Sequence, residues 1–201
     1  MFLEALQPYM LSYNYSFNET YVVTQQDSLF WCFYILCYGY ELYETPGTVN
    51  FVFERDEKFK CIDKIKEQKQ LLKHYKLHHN IIDILDDLAN QKCISIKTFI
   101  ALCVCHKIPI FFVQKNKYYE VGKSRQQVVH FNERYASIGG YFDVDKMKKL
   151  YFKWENIEKP LKSCSAFKLQ ELKDLCQRMH ITYEDNLKKQ VLYNLLKEKI
   201  I

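Results

Sequence analysis

Leu29-Phe-Trp-Cys-Phe-Tyr-Ile-Leu-Cys-Tyr-Gly-Tyr40 is a run of twelve residues without a charge, preceded by Asp27 and Ser28. Either of those two side chains can accept from the free backbone N–H groups of a helix start, so a helix is predicted from this point. Because it is apolar on nearly every side, it belongs at the centre of the molecule with partners all around it. The uncharged stretch from Ser28 to Tyr40 is shorter than the ~20 residues a membrane helix needs.

On the N-terminal side, Tyr21-Val-Val23 reads as a short extended piece. On the C-terminal side, Asn50-Phe-Val-Phe53 suggests another, followed by a basic amphipathic stretch from Glu54 to about His79. Ile81 to Ala89 has helical spacing, and Ser95 is placed to cap a helix from Ile96 to His106. The composition then changes. Ile108-Pro-Ile-Phe-Phe-Val113, Tyr118-Tyr-Glu-Val121 and Gln127-Val-Val-His-Phe131 are β-branched and aromatic runs separated by turn residues, and Gly139-Gly140 reads as a loop. Val144 to Trp154 is basic and amphipathic. Helices followed by strands predict an α+β domain over residues 1–158, a central buried helix packed on an antiparallel strand meander. Past Pro160 only helical patterns remain, predicting a small α-helical C-terminal module over 159–201.

At 201 residues and 48% apolar content, the chain is large enough for one main core and a satellite. Its net charge of +5 is mild, but residues 160–201 hold eight basic against five acidic residues and so carry +3 of it. Glu4 and Pro8 fall where the apolar run of a secretory leader would lie, and most of the eight cysteines sit in apolar runs. Both features predict an intracellular protein with reduced thiols and no membrane partner.

Five glycines leave no G-x-G-x-x-G, and Gly122-Lys-Ser124 lacks the upstream glycine of a phosphate loop, so it reads as a turn. There is no H-E-x-x-H and no paired C-x-x-C. Cys103, Cys105 and His106 read as a buried helix end, and His74 and His78 stand four apart with no third ligand in view. No metal or other cofactor is expected.

Four residue types in order suggest a nucleophilic site. Cys32 lies near a helix start, where the dipole and an imidazolium can lower a thiol pKa. His130 on a strand can serve as base and acid, Asn132 can orient it, and the Gln26 amide can donate to an oxyanion. With these residues the chain resembles the papain-like superfamily. Within it, Ile96-Lys-Thr-Phe-Ile-Ala-Leu102, Ile108-Pro-Ile-Phe-Phe-Val113 and His130-Phe-Asn132 are similar to ovarian-tumour (OTU) type deubiquitinases over roughly residues 20–135. That family carries Asp-Gly-x-Cys-Leu-Phe at its nucleophile, and this chain reads Gln26-Asp-Ser-Leu-Phe30. Aligned on Leu-Phe, Ser28 takes the nucleophile position; aligned on the papain Gln-to-Cys spacing, Cys32 does. The resemblance implies a cysteine peptidase or deubiquitinase-like hydrolase acting on a protein or ubiquitin-like substrate.

Ser165-Ala-Phe-Lys-Leu-Gln-Glu-Leu-Lys-Asp-Leu-Cys-Gln-Arg-Met179, then His-Ile-Thr, then Leu187-Lys-Lys-Gln-Val-Leu-Tyr-Asn-Leu-Leu196 resemble the SAP motif of DNA-binding proteins. The resemblance implies that Leu172, Leu175, Cys176 and Met179 pack against Ile181, Val191, Leu192 and Leu195. It also implies that Lys168, Lys188 and Lys189 meet phosphate near the helix starts. The loop departs from the family in offering Glu184-Asp-Asn186 in place of a glycine.

Taken with residues 2–9 (FLEALQPY), the whole chain resembles proteins of large DNA viruses infecting algae and protists. That implies a setting in the host cytoplasm, viral factory or virion. Two function classes follow: a viral hydrolase tethered by its SAP-like module, or a catalytically inactive papain-like fold serving as a DNA-binding or structural protein.

Overall fold

The computed structural model describes residues 20–200 apart from 46, 78, 80, 124, 125, 141, 155 and 185. The FLEALQPY stretch, His78, Ser124 and Asp185 of the sequence reading lie outside the described residues. Among the described residues the chain forms nine α-helices and one six-stranded mixed sheet, an α+β architecture.

The central helix α1 spans Ser28–Tyr38 and buries every residue from Ser28 to Ile35. Asp27 is its N-cap, the carboxylate accepting from Phe30 N at 3.2 Å. The Asn50-Phe-Val-Phe segment, predicted as extended, is instead the start of a helix. After the short α2 (Tyr40–Glu44), α3 runs from Phe51 to Glu67, with the Asn50 side chain accepting from Phe53 N at 2.9 Å. A satisfied N-cap outweighs the β preference of Phe-Val-Phe, and Phe53 gains a ring to stack on, 6.3 Å from Trp31. Helices α4 (Lys69–His74), α5 (Ile81–Asn90) and α6 (Ile96–Cys105) complete this side, α6 capped by Ser95 as predicted.

The strands are β1 (Thr20–Val23), β2 (Ile110–Gln114), β3 (Lys117–Val121), β4 (Gln127–Phe131), β5 (Ala136–Gly139) and β6 (Phe152–Lys153), in the order β1-β5-β4-β2-β3-β6. The expected antiparallel meander is replaced by a mixed sheet, since β2 pairs with β4 and β3 with β6 in parallel. The cause is the turn after β3. Gly122, at φ +70° and with Pro109 only 3.1 Å from where a Cβ would stand, sends the chain back across β2 instead of out beyond β3. Gln127 N then donates to Pro109 O at 3.0 Å and β4 starts level with β2.

Each strand places alternate residues on opposite faces. One face carries Ile110, Phe112, Val129, Phe131, Ala136 and Ile138 into the main core beneath α1 and α6. The other carries Phe111, Val113, Tyr118 and Val128 into a second, smaller cluster, covered by Phe142, Tyr151 and the short helix α7 (Val144–Leu150). The C-terminal residues form a third core. A 3-10 turn (Cys164–Ala166), α8 (Leu169–Arg178) and α9 (Lys189–Ile200) enclose Leu161, Leu172, Cys176, Met179, Leu192, Leu196 and Ile200. The expected inward faces hold for α8. On α9 Leu192 is buried as expected, but Val191 is exposed and the buried stripe continues through Leu196 and Ile200, spaced by four.

Candidate functional site

The start of α1 is the most polar point of the main core. The Asp27 carboxylate also accepts from Ile94 N at 3.0 Å and pairs with Lys58 Nζ at 2.6 Å, both side chains at or below 5% exposure. Lys58 reaches Glu54 at 2.8 Å, and Glu54 accepts from Trp31 Nε1 at 2.8 Å. Burial pushes the Asp27 carboxyl above its ordinary value against the pull of Lys58. For Lys58 the desolvation is outweighed by its two carboxylates, which raise its pKa and keep it protonated. This network ties α1, α3 and the segment before α6 together.

Ser28, the alternative nucleophile, is 3% exposed. Its hydroxyl donates to Arg134 O at 3.0 Å and accepts from Ala136 N at 3.1 Å. Both hydrogen-bonding roles are spent on backbone. A cleft of about 480 Å³ opens beside it, lined by Gln26, Ser28, Cys93, Phe131, Glu133 and Arg134 among others, with no histidine among the described residues of its wall. Gln26 is exposed there, and its carbonyl accepts from the Cys93 thiol at 3.2 Å.

Cys32 is not in this cleft. It lies one turn further along α1 at 0% exposure, and burial pushes its thiol pKa far above the ordinary value. His130 is not in it either. It follows Val128 on the face of β4 turned away from α1, with its ring centroid 4.3 Å from that of Phe142. Burial lowers its pKa, and its Nε2 is buried without a hydrogen bond among the described residues. The sheet therefore separates thiol from imidazole. Asn132 does not orient the ring; its Oδ1 accepts from Arg134 N and Tyr135 N, at 3.2 and 2.7 Å, and shapes the β4–β5 turn. Of the predicted catalytic set, only Gln26 and Ser28 share a cleft.

The structure does bring one thiol to one imidazole, and the sequence reading missed it. Cys37 Sγ lies 3.5 Å from His106 Nδ1, where the end of α1 passes the end of α6. Both groups are desolvated: the His106 pKa falls to about 4 and the Cys37 pKa rises to about 12. At neutral pH the pair is an uncharged contact, without the thiolate a nucleophile needs. Sixty-nine residues separate the two, and only tertiary packing joins them.

In the C-terminal module, Lys168 is the N-cap residue of α8, with its backbone N–H donating to Glu171 at 2.6 Å. Lys188 precedes α9, its carbonyl accepting from Val191 N at 2.9 Å, and Lys189 is the first helical residue. Lys168 and Lys188 are exposed and Lys189 is half-buried. No group of three or more His, Cys, Asp or Glu among the described residues is arranged to hold a metal ion, and no described helix is long and apolar enough to cross a membrane.

Comparison of the chain with family models, curated proteins and solved structures returns no match to any of the three.

Proposed function

We propose that the chain is a non-catalytic DNA-binding protein: a degenerate papain-like, OTU-like core carrying a SAP-like helix–loop–helix as its nucleic-acid-binding module. One observation carries the choice over a hydrolase. Cys32 is sealed in the main core while His130 belongs to the opposite face of the sheet, so a thiolate–imidazolium relay has no path. The alternative register fares no better, since Ser28 is held by two backbone groups and, among the described residues, its cleft holds no imidazole.

What supports DNA binding is the module's own construction. It has its own apolar core, Lys168 and Lys188 are exposed, and Lys168, Lys188 and Lys189 stand at helix starts where their ammonium groups could meet phosphate. The viral resemblance of the sequence adds the viral factory or virion as the setting in which such a protein would work.

The test is binding of the full chain to a short fluorescein-labelled DNA duplex, followed by anisotropy across a salt series. Three phosphate contacts predict a log–log slope of about −3, reduced in magnitude by roughly two in Lys188→Ala/Lys189→Ala. Absence of binding, or a flat salt response, overturns the proposal.

A further inference from the structure

Helix α3 carries apolar side chains on both of its faces. Its inner face sends Cys61, Ile62 and Ile65 into the main core. On the outside, Phe51 is 76% exposed, Val52 55% and Phe59 49%, and Val49 just ahead of the helix is exposed as well. These are four of the eight large apolar side chains exposed among the described residues, and they fall within one short stretch. The others are scattered: Val22 on β1, Ile82 on α5, Leu169 on α8 and Val191 on α9. Single exposed apolar residues are ordinary, whereas a gathered set marks a surface that something covers.

The charges on the same face say what that is. At about 3.6 residues per turn, Val52, Phe59 and Lys66 fall nearly in line down the helix. Arg55 and Asp63, each four residues from Phe59, flank this line on opposite sides, and all five side chains are exposed. Arg55 pairs with its neighbour Asp56 at 3.3 Å and Asp63 with Lys66 at 3.7 Å, solvated contacts that hold neither charge in place. A two-fold axis through Phe59 turns the helix end for end and exchanges its sides. It therefore sets Phe59 against Phe59, brings Arg55 opposite Asp63 of the second copy at two equivalent places, and lays the Lys66 stem over Val52. A parallel pairing would instead align Arg55 with Arg55 and Asp63 with Asp63.

We infer that the outer face of α3 is a self-association surface: two copies of this chain pair through antiparallel α3 helices, covering Val52 and Phe59 and matching Arg55 with Asp63. A second copy is the occupant because the face complements itself in charge under that rotation. None of these residues belongs to the C-terminal module, so the inference stands or falls separately from the DNA-binding reading.

The experiment is sedimentation equilibrium of the full chain over a dilution series from about 100 µM downward, with light scattering giving the mass. Thermal melting checks that each variant is folded. The wild type is expected to show twice the chain mass at the concentrated end and to dissociate on dilution. Phe59→Glu should raise the dissociation constant at least about thirtyfold, since the change enters the contact twice. Asp63→Arg, which sets two arginines face to face, should raise it about tenfold, and Arg55→Asp/Asp63→Arg should recover most of that loss. Ile82→Ser, which removes the most exposed apolar side chain outside α3, should leave association unchanged. A wild type that stays monomeric throughout overturns the inference, as does a dimer that survives Phe59→Glu or is lost in Ile82→Ser. A double charge reversal that recovers nothing overturns the antiparallel pairing.

Discussion

The Ser28 hydroxyl bridges Arg134 and Ala136, donating to the carbonyl of the first at 3.0 Å and accepting from the N–H of the second at 3.1 Å. One side chain thus joins the start of the central helix to the strand β5 that lies beneath it, more than a hundred residues later. The position that resembles a nucleophile in sequence is a fastener in the fold.

Ser28→Ala removes the acceptor for the buried Ala136 N–H and is expected to cost about 1–3 kcal/mol. Urea denaturation monitored by tryptophan fluorescence measures it. DNA affinity should stay at the wild-type value; a stability unchanged within error would show that the bridge contributes nothing.

Cys32 should be chemically silent in the native protein. With a thiol-reactive chromophore at neutral pH, the exposed Cys93 is expected to react first, while Cys32 labels only at the rate of global opening. Mass-spectrometric mapping of a time course decides it. Selective early modification of Cys32 would restore the hydrolase reading.

His106 makes stability depend on acidity. Its folded pKa, about 4, lies below the ordinary value of 6.5, so between these limits the unfolded chain binds the extra proton. Stability is therefore retained above pH ~6.5 and lost as pH falls toward 4, by up to about 3 kcal/mol. The lowered pKa of His130 acts in the same direction. His106→Phe, which keeps a ring against Phe33, should flatten the slope of stability against pH over this window relative to wild type. An unchanged slope would mean that His106 is not desolvated.

Breaking the buried network at α1 should be more damaging than removing it. Lys58→Met leaves the Asp27 carboxylate buried without its cation and is expected to cost about 3–5 kcal/mol. Asp27→Asn/Lys58→Met removes both charges while the amide oxygen can still cap α1, and should recover part of that loss. A double-mutant cycle gives the coupling; additive losses would argue against a direct interaction.

Much of the fold was legible because it rests on local signals. The uncharged run after Asp27, the Ser95 cap and the β-branched runs from Ile108 to Phe131 each state their structure within a dozen residues. Ala136-Ser-Ile-Gly139 does not. It is short and three of its four residues are small, and it becomes a strand because β1 and β4 pair with it on either side while Ala136 and Ile138 pack into the main core beneath α1. Which residues of α9 join Leu192 inside was similarly hidden, since Val191, Leu195 and Leu196 are all apolar and only the position of α8 selects among them.

The amino-acid sequence alone determined the α+β class, the buried central helix, the helical character of the C-terminal residues and the concentration of positive charge toward the end of the chain, because periodicity, capping and net charge are properties of neighbouring residues. Tertiary structure alone decided which chemical groups meet. Strand side chains alternate by face, so the register of β4 and the crossing after Gly122 set His130 on the side of the sheet away from Cys32, and helix packing placed Cys37 against His106 instead. Contacts between residues so distant along the chain depend on the path of the backbone, which no local pattern records.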